Sequence, residues 1–270
     1  MKLTRMRSRL VALGAVALSI LATRLGTTAS AATVVWGSAQ NISGDSDVIT
    51  SGSLVYGYQF GTGLTGTTTV NGVQFQPFNV SNGVSTATLG SVTLTSTGSN
   101  PYPGVMYSAS GITSGSAPYA TLSGDYQSLL SSKVTSYLED TNGGARLDIQ
   151  LGGLTAGTSY LVQWWSSVTD ILYEPSQTVV LGSPNATLDA NTTNTTGGLG
   201  QYATGTFTAA GASQTITLLG VTMNAPPYDA PTINALQLRT VAVPEPSTCI
   251  MALAGIACGG FSMWRRRNRA

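Results

Sequence analysis

Between Thr33 and Thr240 the chain is a succession of short apolar–polar alternations broken by Gly, Asn and Pro, with no long helical period. Leu54 to Phe60 is one such run, and Thr69 to Phe75 is another, with Asn71-Gly72 inside it as a turn or bulge. Thr88 to Thr95 follows, anchored by Leu89, Val92 and Leu94. Leu147-Asp148-Ile149-Gln150-Leu151 alternates strictly, and Tyr160 to Val168 is aromatic and β-branched. Gln177 to Leu181, Gln201 to Thr208, Gln214 to Leu219 and Thr232 to Leu238 complete the set. The spacing of Leu129, Leu130, Val134 and Leu138 predicts one short helix over Asp125 to Tyr137. Strands this frequent, separated by turn chemistry, predict an all-β fold: a single antiparallel β-sandwich, with two smaller sandwiches split near Pro118 as the alternative. The Asn-rich stretch Asn185 to Thr196 reads as a flexible polar loop.

Both ends break this texture. Lys2, Arg5, Arg7 and Arg9 precede an apolar run from Leu10 to Ala22, and Ala29-Ser30-Ala31 gives a small-x-small pattern ahead of Ala32. Residues 1–31 therefore read as a secretory signal peptide cut before Ala32. At the other end Val243-Pro244-Glu245-Pro246-Ser247-Thr248 is stiff and extended, because Pro244 and Pro246 fix their own φ and lack amide donors. An apolar run from Cys249 to Trp264 follows, long enough as a helix to cross most of a hydrocarbon core of about 30 Å. Arg265, Arg266, Arg267 and Arg269 would hold its far end on the cytoplasmic side. The chain thus divides into 1–31, an exported domain over 32–242 and a tail over 243–270.

Charge sharpens the division. The overall charge of +1 is made by the two ends. Between Ala32 and Val243, ten acids face three bases (Lys133, Arg146 and Arg239), a balance of −7. Such a surface repels phosphate backbones and excludes nucleic acid as a partner. Cys249 and Cys258 both lie in the apolar run, about 13 Å apart on opposite sides of a helix, so they cannot pair. The exported domain has no disulfide and stands on its core.

The order Val243 to Thr248, apolar span, arginine cluster resembles the PEP-CTERM sorting signal of exported bacterial proteins. The resemblance implies recognition at Pro244, Glu245 and Pro246 by a membrane-embedded exosortase, with cleavage near that motif. It implies a precursor anchored in the inner membrane by its C-terminal helix, and a product delivered to the cell envelope or the extracellular matrix. Within the exported domain, Leu154-Thr155-Ala156-Gly157-Thr158-Ser159-Tyr160 resembles the L-x-x-G-T-x-Y corner of fibronectin-type and galactose-binding-like sandwiches. The resemblance implies a Tyr160 hydroxyl bonded back to the upstream backbone at a sheet-to-sheet corner. Thr232 to Leu238 is similar to the closing strand of galactose-binding-like jelly rolls, which implies a jelly-roll-like sandwich.

The chain contains no histidine, which removes Ser-His-Asp triads, Cys-His pairs and His-bound metal centres. Gly44-Asp45-Ser46 is then a turn rather than a nucleophile motif. Asp45 and Asp47 offer oxygens of the kind Ca²⁺ takes, but a lone D-x-D reads as a surface loop. No spacing singles out a carboxylate pair among Asp125, Glu139, Asp140, Asp148, Asp170, Glu174, Asp189 and Asp229. No catalytic residue, metal or cofactor is assigned.

Aromatics say more. With Tyr160 facing inward, Val162 and Trp164 follow it into the core, and Trp165 shares the opposite face with Leu161 and Gln163. An exposed Trp165 beside Gln163 makes a platform on which a sugar stacks; a loop or the short helix lying over Trp165 makes it core. Two functions of different class follow for the exported domain. One is a non-enzymatic structural or carbohydrate-associating protein of the exopolysaccharide matrix. The other is a secreted glycan hydrolase or lyase with a carboxylate pair.

Overall fold

The structure is a computed structural model and describes residues 32–98, 104–109, 115–137, 145–169, 176–222 and 230–241. The signal segment 1–31 and the tail 242–270 lie outside the described residues. Among the described residues no helix is long and apolar enough to cross a membrane.

Two sheets face each other across one core. The first has eight strands: β1 (Val35–Trp36), β14 (Gln201–Thr208), β11 (Ser159–Ser166), β17 (Ala235–Thr240), β3 (Ser53–Gly61), β5 (Val73–Asn79) and β4 (Thr68–Val70), with β2 (Gln40–Asn41) also on β14. The second has six: β13 (Ala186–Asp189), β12 (Ser176–Val180), β15 (Ser213–Thr222), β10 (Arg146–Gly152), β7 (Val92–Thr97) and β6 (Thr86–Leu89). A third, small sheet joins β16 (Thr232–Ile233), β9 (Lys133–Tyr137) and β8 (Val105–Ala109). Strands from either side of Pro118 pair directly, β3 with β17 and β7 with β10, so the halves are interleaved rather than separate. Among the described residues every strand pair is antiparallel except β3 with β5, which run parallel; the all-antiparallel expectation needs that correction.

The period-two pattern fills the core. Leu147, Ile149 and Leu151 of β10, Val92 and Leu94 of β7, and Ile216 and Leu218 of β15 point inward from the six-stranded sheet. They meet Tyr160, Val162 and Trp164 of β11, Leu236 and Leu238 of β17, and Tyr58 and Phe60 of β3. Trp36 crosses this layer because Gly205 opposite it has no side chain; a Cβ there would stand 2.6 Å from the indole. The corner forms as the sequence implies, with the Thr155 amide donating to the Tyr160 hydroxyl at 2.9 Å.

Asn71 and Gly72 both adopt positive φ, 48° and 75°, and turn β4 into β5 as a tight hairpin. Four other expectations change. Thr88 to Thr95 is not one strand but the hairpin β6–β7, turned at Gly90-Ser91. The helix α1 spans only Gly124–Leu130, capped by the Ser123 hydroxyl on the Tyr126 amide at 3.1 Å. Beyond it Lys133–Tyr137 is strand, although Leu130, Val134 and Leu138 keep a four-residue spacing; pairing with β8 decides the ambiguity. Thr232 to Leu238 breaks at Asn234, whose side-chain amide donates to the Leu130, Ser132 and Ser167 carbonyls. Asn185 to Thr196 is no simple loop. It contributes β13, and then a turn held by buried Asn191, which donates to the Thr195 carbonyl at 3.0 Å.

Candidate functional site

Both side chains of the sugar platform, Trp165 and Gln163, are fully buried, so the exposed-platform expectation is overturned. The reason lies on the outer face of the eight-stranded sheet, which carries a second apolar layer. Trp165, Ala235, Phe75, Val73 and Val70 pack there against Tyr126, Leu129 and Leu130 of α1 and against Ile42 and Val48. Phe75 meets the Trp165 ring edge-on, with centroids 5.7 Å apart. The short helix is the lid.

A line of polar groups fastens that lid. Trp165 Nε1 donates to the Tyr126 hydroxyl at 2.9 Å, and that hydroxyl donates to Asp47 Oδ2 at 3.3 Å. Burial first, and then the Asp47 charge, pushes the Tyr126 phenol far above its ordinary range, which keeps it a donor. Asp47 also accepts from the Ser43 amide and hydroxyl, both at 2.7 Å, and from the Gly44 amide at 3.0 Å. Its oxygens are spent on its own loop and on Tyr126. Asp45 accepts from the Ser123 hydroxyl at 2.6 Å, tying the loop to the cap of α1. The D-x-D is thus a clasp, and among the described residues no group of three potential metal ligands gathers around it.

The clasp continues down two adjacent strands. Gln163 of β11 donates to the Asp47 carbonyl at 2.7 Å and accepts from the Ile49 amide at 3.1 Å. Its register partner Gln237 of β17 donates to Gln163 Oε1 at 2.6 Å and to the Ile49 carbonyl at 3.0 Å. Arg239 donates to the carbonyls of Thr50, Ser51 and Gly52 at 2.7–2.8 Å and to Gln237 Oε1 at 3.2 Å. Gln163 is therefore a loop anchor rather than a ligand group. Asp47, Gln237 and Arg239 belong to the same assembly. For Gln237 and Arg239 the only trace in the sequence is a polar side chain in an otherwise apolar strand; Asp47 shows as half of the D-x-D.

The outer face of the six-stranded sheet is different: uncovered among the described residues, and rich in hydroxyls. Register places Thr88, Thr93, Gln150 and Thr215 in one cross-strand row, and Thr86, Thr95, Asp148 and Thr217 in the next. All eight are exposed or half-buried. Thr88 and Thr93 hydroxyls lie 3.0 Å apart. Asp148 accepts from Thr217 at 2.6 Å and pairs with Arg146 at 2.9 Å. Such rows present alternating donors and acceptors, with no aromatic ring among them. The sorting residues Val243 to Thr248, the arginines 265–267 and 269, and Ala29 and Ala31 lie outside the described residues; Ala32 is half-buried beside the first strand.

Residues 242–267 match the PEP-CTERM protein-sorting motif. A search of curated proteins finds no match to the sequence. Among solved structures, the ANX2 ectodomain from Arabidopsis thaliana is similar at 13% identity and a TM-score of 0.38, over 71% of this chain and 50% of that one. The chain thus spans half the length of that ectodomain. The enzymatically active domain of tailspike protein 4 from bacteriophage CBA120 is similar at 7% identity and a TM-score of 0.25, covering 56% of this chain and 19% of that domain. A carbohydrate-binding module of the β-sandwich superfamily is similar at 12% identity and a TM-score of 0.24, covering 80% and 99%. Likeness at this level assigns the chain neither a ligand nor an activity.

Proposed function

We propose that this chain, which ends in a PEP-CTERM sorting motif, is a non-catalytic, jelly-roll-like sandwich protein of the cell envelope or extracellular matrix. The motif implies export and processing by an exosortase. The finer reading is a matrix protein that associates with exopolysaccharide through the hydroxyl rows of its six-stranded sheet. The observation that carries it is the contrast in availability. The aromatic face is sealed, whereas Thr93, Thr95, Gln150 and Thr215 stand exposed or half-buried among the described residues, able to bond sugar hydroxyls. Against the hydrolase reading, three of the five described carboxylates, Asp45, Asp47 and Asp148, are engaged by neighbours in the fold.

Two measurements test the two levels. Glu245→Ala is expected to leave an uncleaved, membrane-held precursor, and the secreted wild-type protein should end near Pro244 by mass spectrometry. An intact Arg269 at the mature end sinks the processing reading. Replacing Thr93, Thr95 and Thr215 together by Val is expected to abolish retention on the producer's own polysaccharide. Unchanged retention rejects the hydroxyl face as the contact surface.

A further inference from the structure

The tail leaves the fold from an unusual place, the middle of a sheet. β17 pairs with β11 on one side and β3 on the other, and both pairings still hold at Thr240. The Val241 amide donates to the Ser159 carbonyl at 2.9 Å, so only Ala242 and Val243 separate the sheet from Pro244. The chain also enters at this pole, because β1 runs antiparallel to β14 and begins next to Ala32. Both apolar runs of the precursor are thus attached to one end of the sandwich.

That end differs from the rest of the surface. Its turns, 50–52, 90–91, 153–158, 181–184 and 209–212, contain no Asp, Glu, Lys or Arg. Arg239 beneath them is buried, with its guanidinium wrapped by the carbonyls of Thr50, Ser51 and Gly52. Of the eight large apolar side chains exposed among the described residues, six stand at the pole-side ends of their strands: Val35, Leu54, Val55, Leu89, Leu181 and Val241. Asp45 and Asp47 lie instead by α1, and Asp189 pairs with Gln177 at the opposite end. The eight residues from Val241 to Thr248 reach less than about 30 Å fully extended, so the apolar tail cannot be far from this pole.

We infer that this uncharged, apolar-rimmed pole is a docking surface for the lipid bilayer, laid against the headgroup region while the precursor awaits processing. The inference rests on the sorting reading above. It adds an orientation: hydroxyl rows edge-on to the membrane, with Asp45, Asp47 and Asp189 held away from it. An interfacial surface needs apolar side chains and no desolvated charge, which this pole supplies.

The test uses the full-length Glu245→Ala chain with Cys249 and Cys258 replaced by Ser, reconstituted into phosphatidylcholine vesicles doped with nitroxide-bearing lipid. A fluorophore is attached at Leu89→Cys or Ala156→Cys on the pole, or at Val221→Cys on the far end of β15. The two pole labels are expected to be quenched at least roughly two-fold, because an interfacial surface sits within about 10 Å of the acyl boundary. The Val221 label should keep its emission. A second variant with a flexible Gly-Ser linker of about 20 residues after Val241 separates binding from tethering. Persistent quenching there supports a docking surface, and its loss shows passive tethering and overturns the inference. Chains that float with the vesicles but show unquenched or equally quenched labels also overturn it, and point to a protein partner at the pole. Failure to float at all removes the membrane-anchored tail, and the inference with it.

Discussion

The outer face of the eight-stranded sheet carries Trp165, Gln163, Gln237 and Phe75 under a helix and a clasped loop; that of the six-stranded sheet carries Thr93, Thr95, Asp148 and Gln150 with no layer over them among the described residues. The same sandwich therefore has one three-layered side and one two-layered side. The strands announce the difference. Tyr160-Leu161-Val162-Gln163-Trp164-Trp165 is apolar almost without interruption, as strands buried on both faces are. Leu147-Asp148-Ile149-Gln150-Leu151 alternates strictly, as half-buried strands do. A tryptophan pair on a strand is better taken as a sign of two covered faces than of one exposed ring.

Trp165→Ala breaks the comparison most. Removing a fully buried indole that contacts Phe75 and leaves the Tyr126 hydroxyl without its donor is expected to cost about 3–5 kcal/mol, read from the denaturant midpoint. A midpoint close to wild type would mean that the helix does not seal this face in solution.

Asp47→Ala attacks the lid rather than the layer beneath it. The loss of charge-assisted bonds from Ser43 and Gly44 should cost about 2–3 kcal/mol. The Ile49 amide, which donates to Gln163, should then exchange its hydrogen faster than amides of β10. Equal protection in mutant and wild type would show that the Gln163–Gln237–Arg239 column holds the loop unaided.

On the other face, Thr93→Val and Thr95→Val should each change stability by less than about 0.5 kcal/mol, since no described layer packs over them. A larger loss in either would reveal a hidden contact and erase the contrast between the faces.

The smallest effect is expected at Asp189, on the edge strand β13. Burial raises its carboxyl above the ordinary value, opposed by a Gln177 hydrogen bond. A folded-state value above the unfolded one means that ionisation costs stability, absent at low pH and present once the pH has risen through both values. Asp189→Asn should therefore melt slightly higher than wild type at neutral pH and no higher at about pH 3, below the ordinary carboxylate range. A gain that persists unchanged at low pH would assign the effect to something other than charge.

The sequence by itself determined the strand-rich texture, the Tyr160 corner and the sorting tail, and marked Asn71-Gly72 as a turn or bulge. These depend on local rules: side-chain period, turn residues that accept positive φ, and a contiguous motif. The tertiary structure alone decided that Lys133–Tyr137 is strand and that Trp165 is core. Leu130, Val134 and Leu138 satisfy a helical period equally well, and pairing with the strands β8 and β16 breaks the tie. Period two likewise says which residues share a face but not whether that face is covered. Coverage of Trp165 came from Asp47 and Tyr126, 118 and 39 positions away, brought over it by hydrogen bonds that no local pattern encodes.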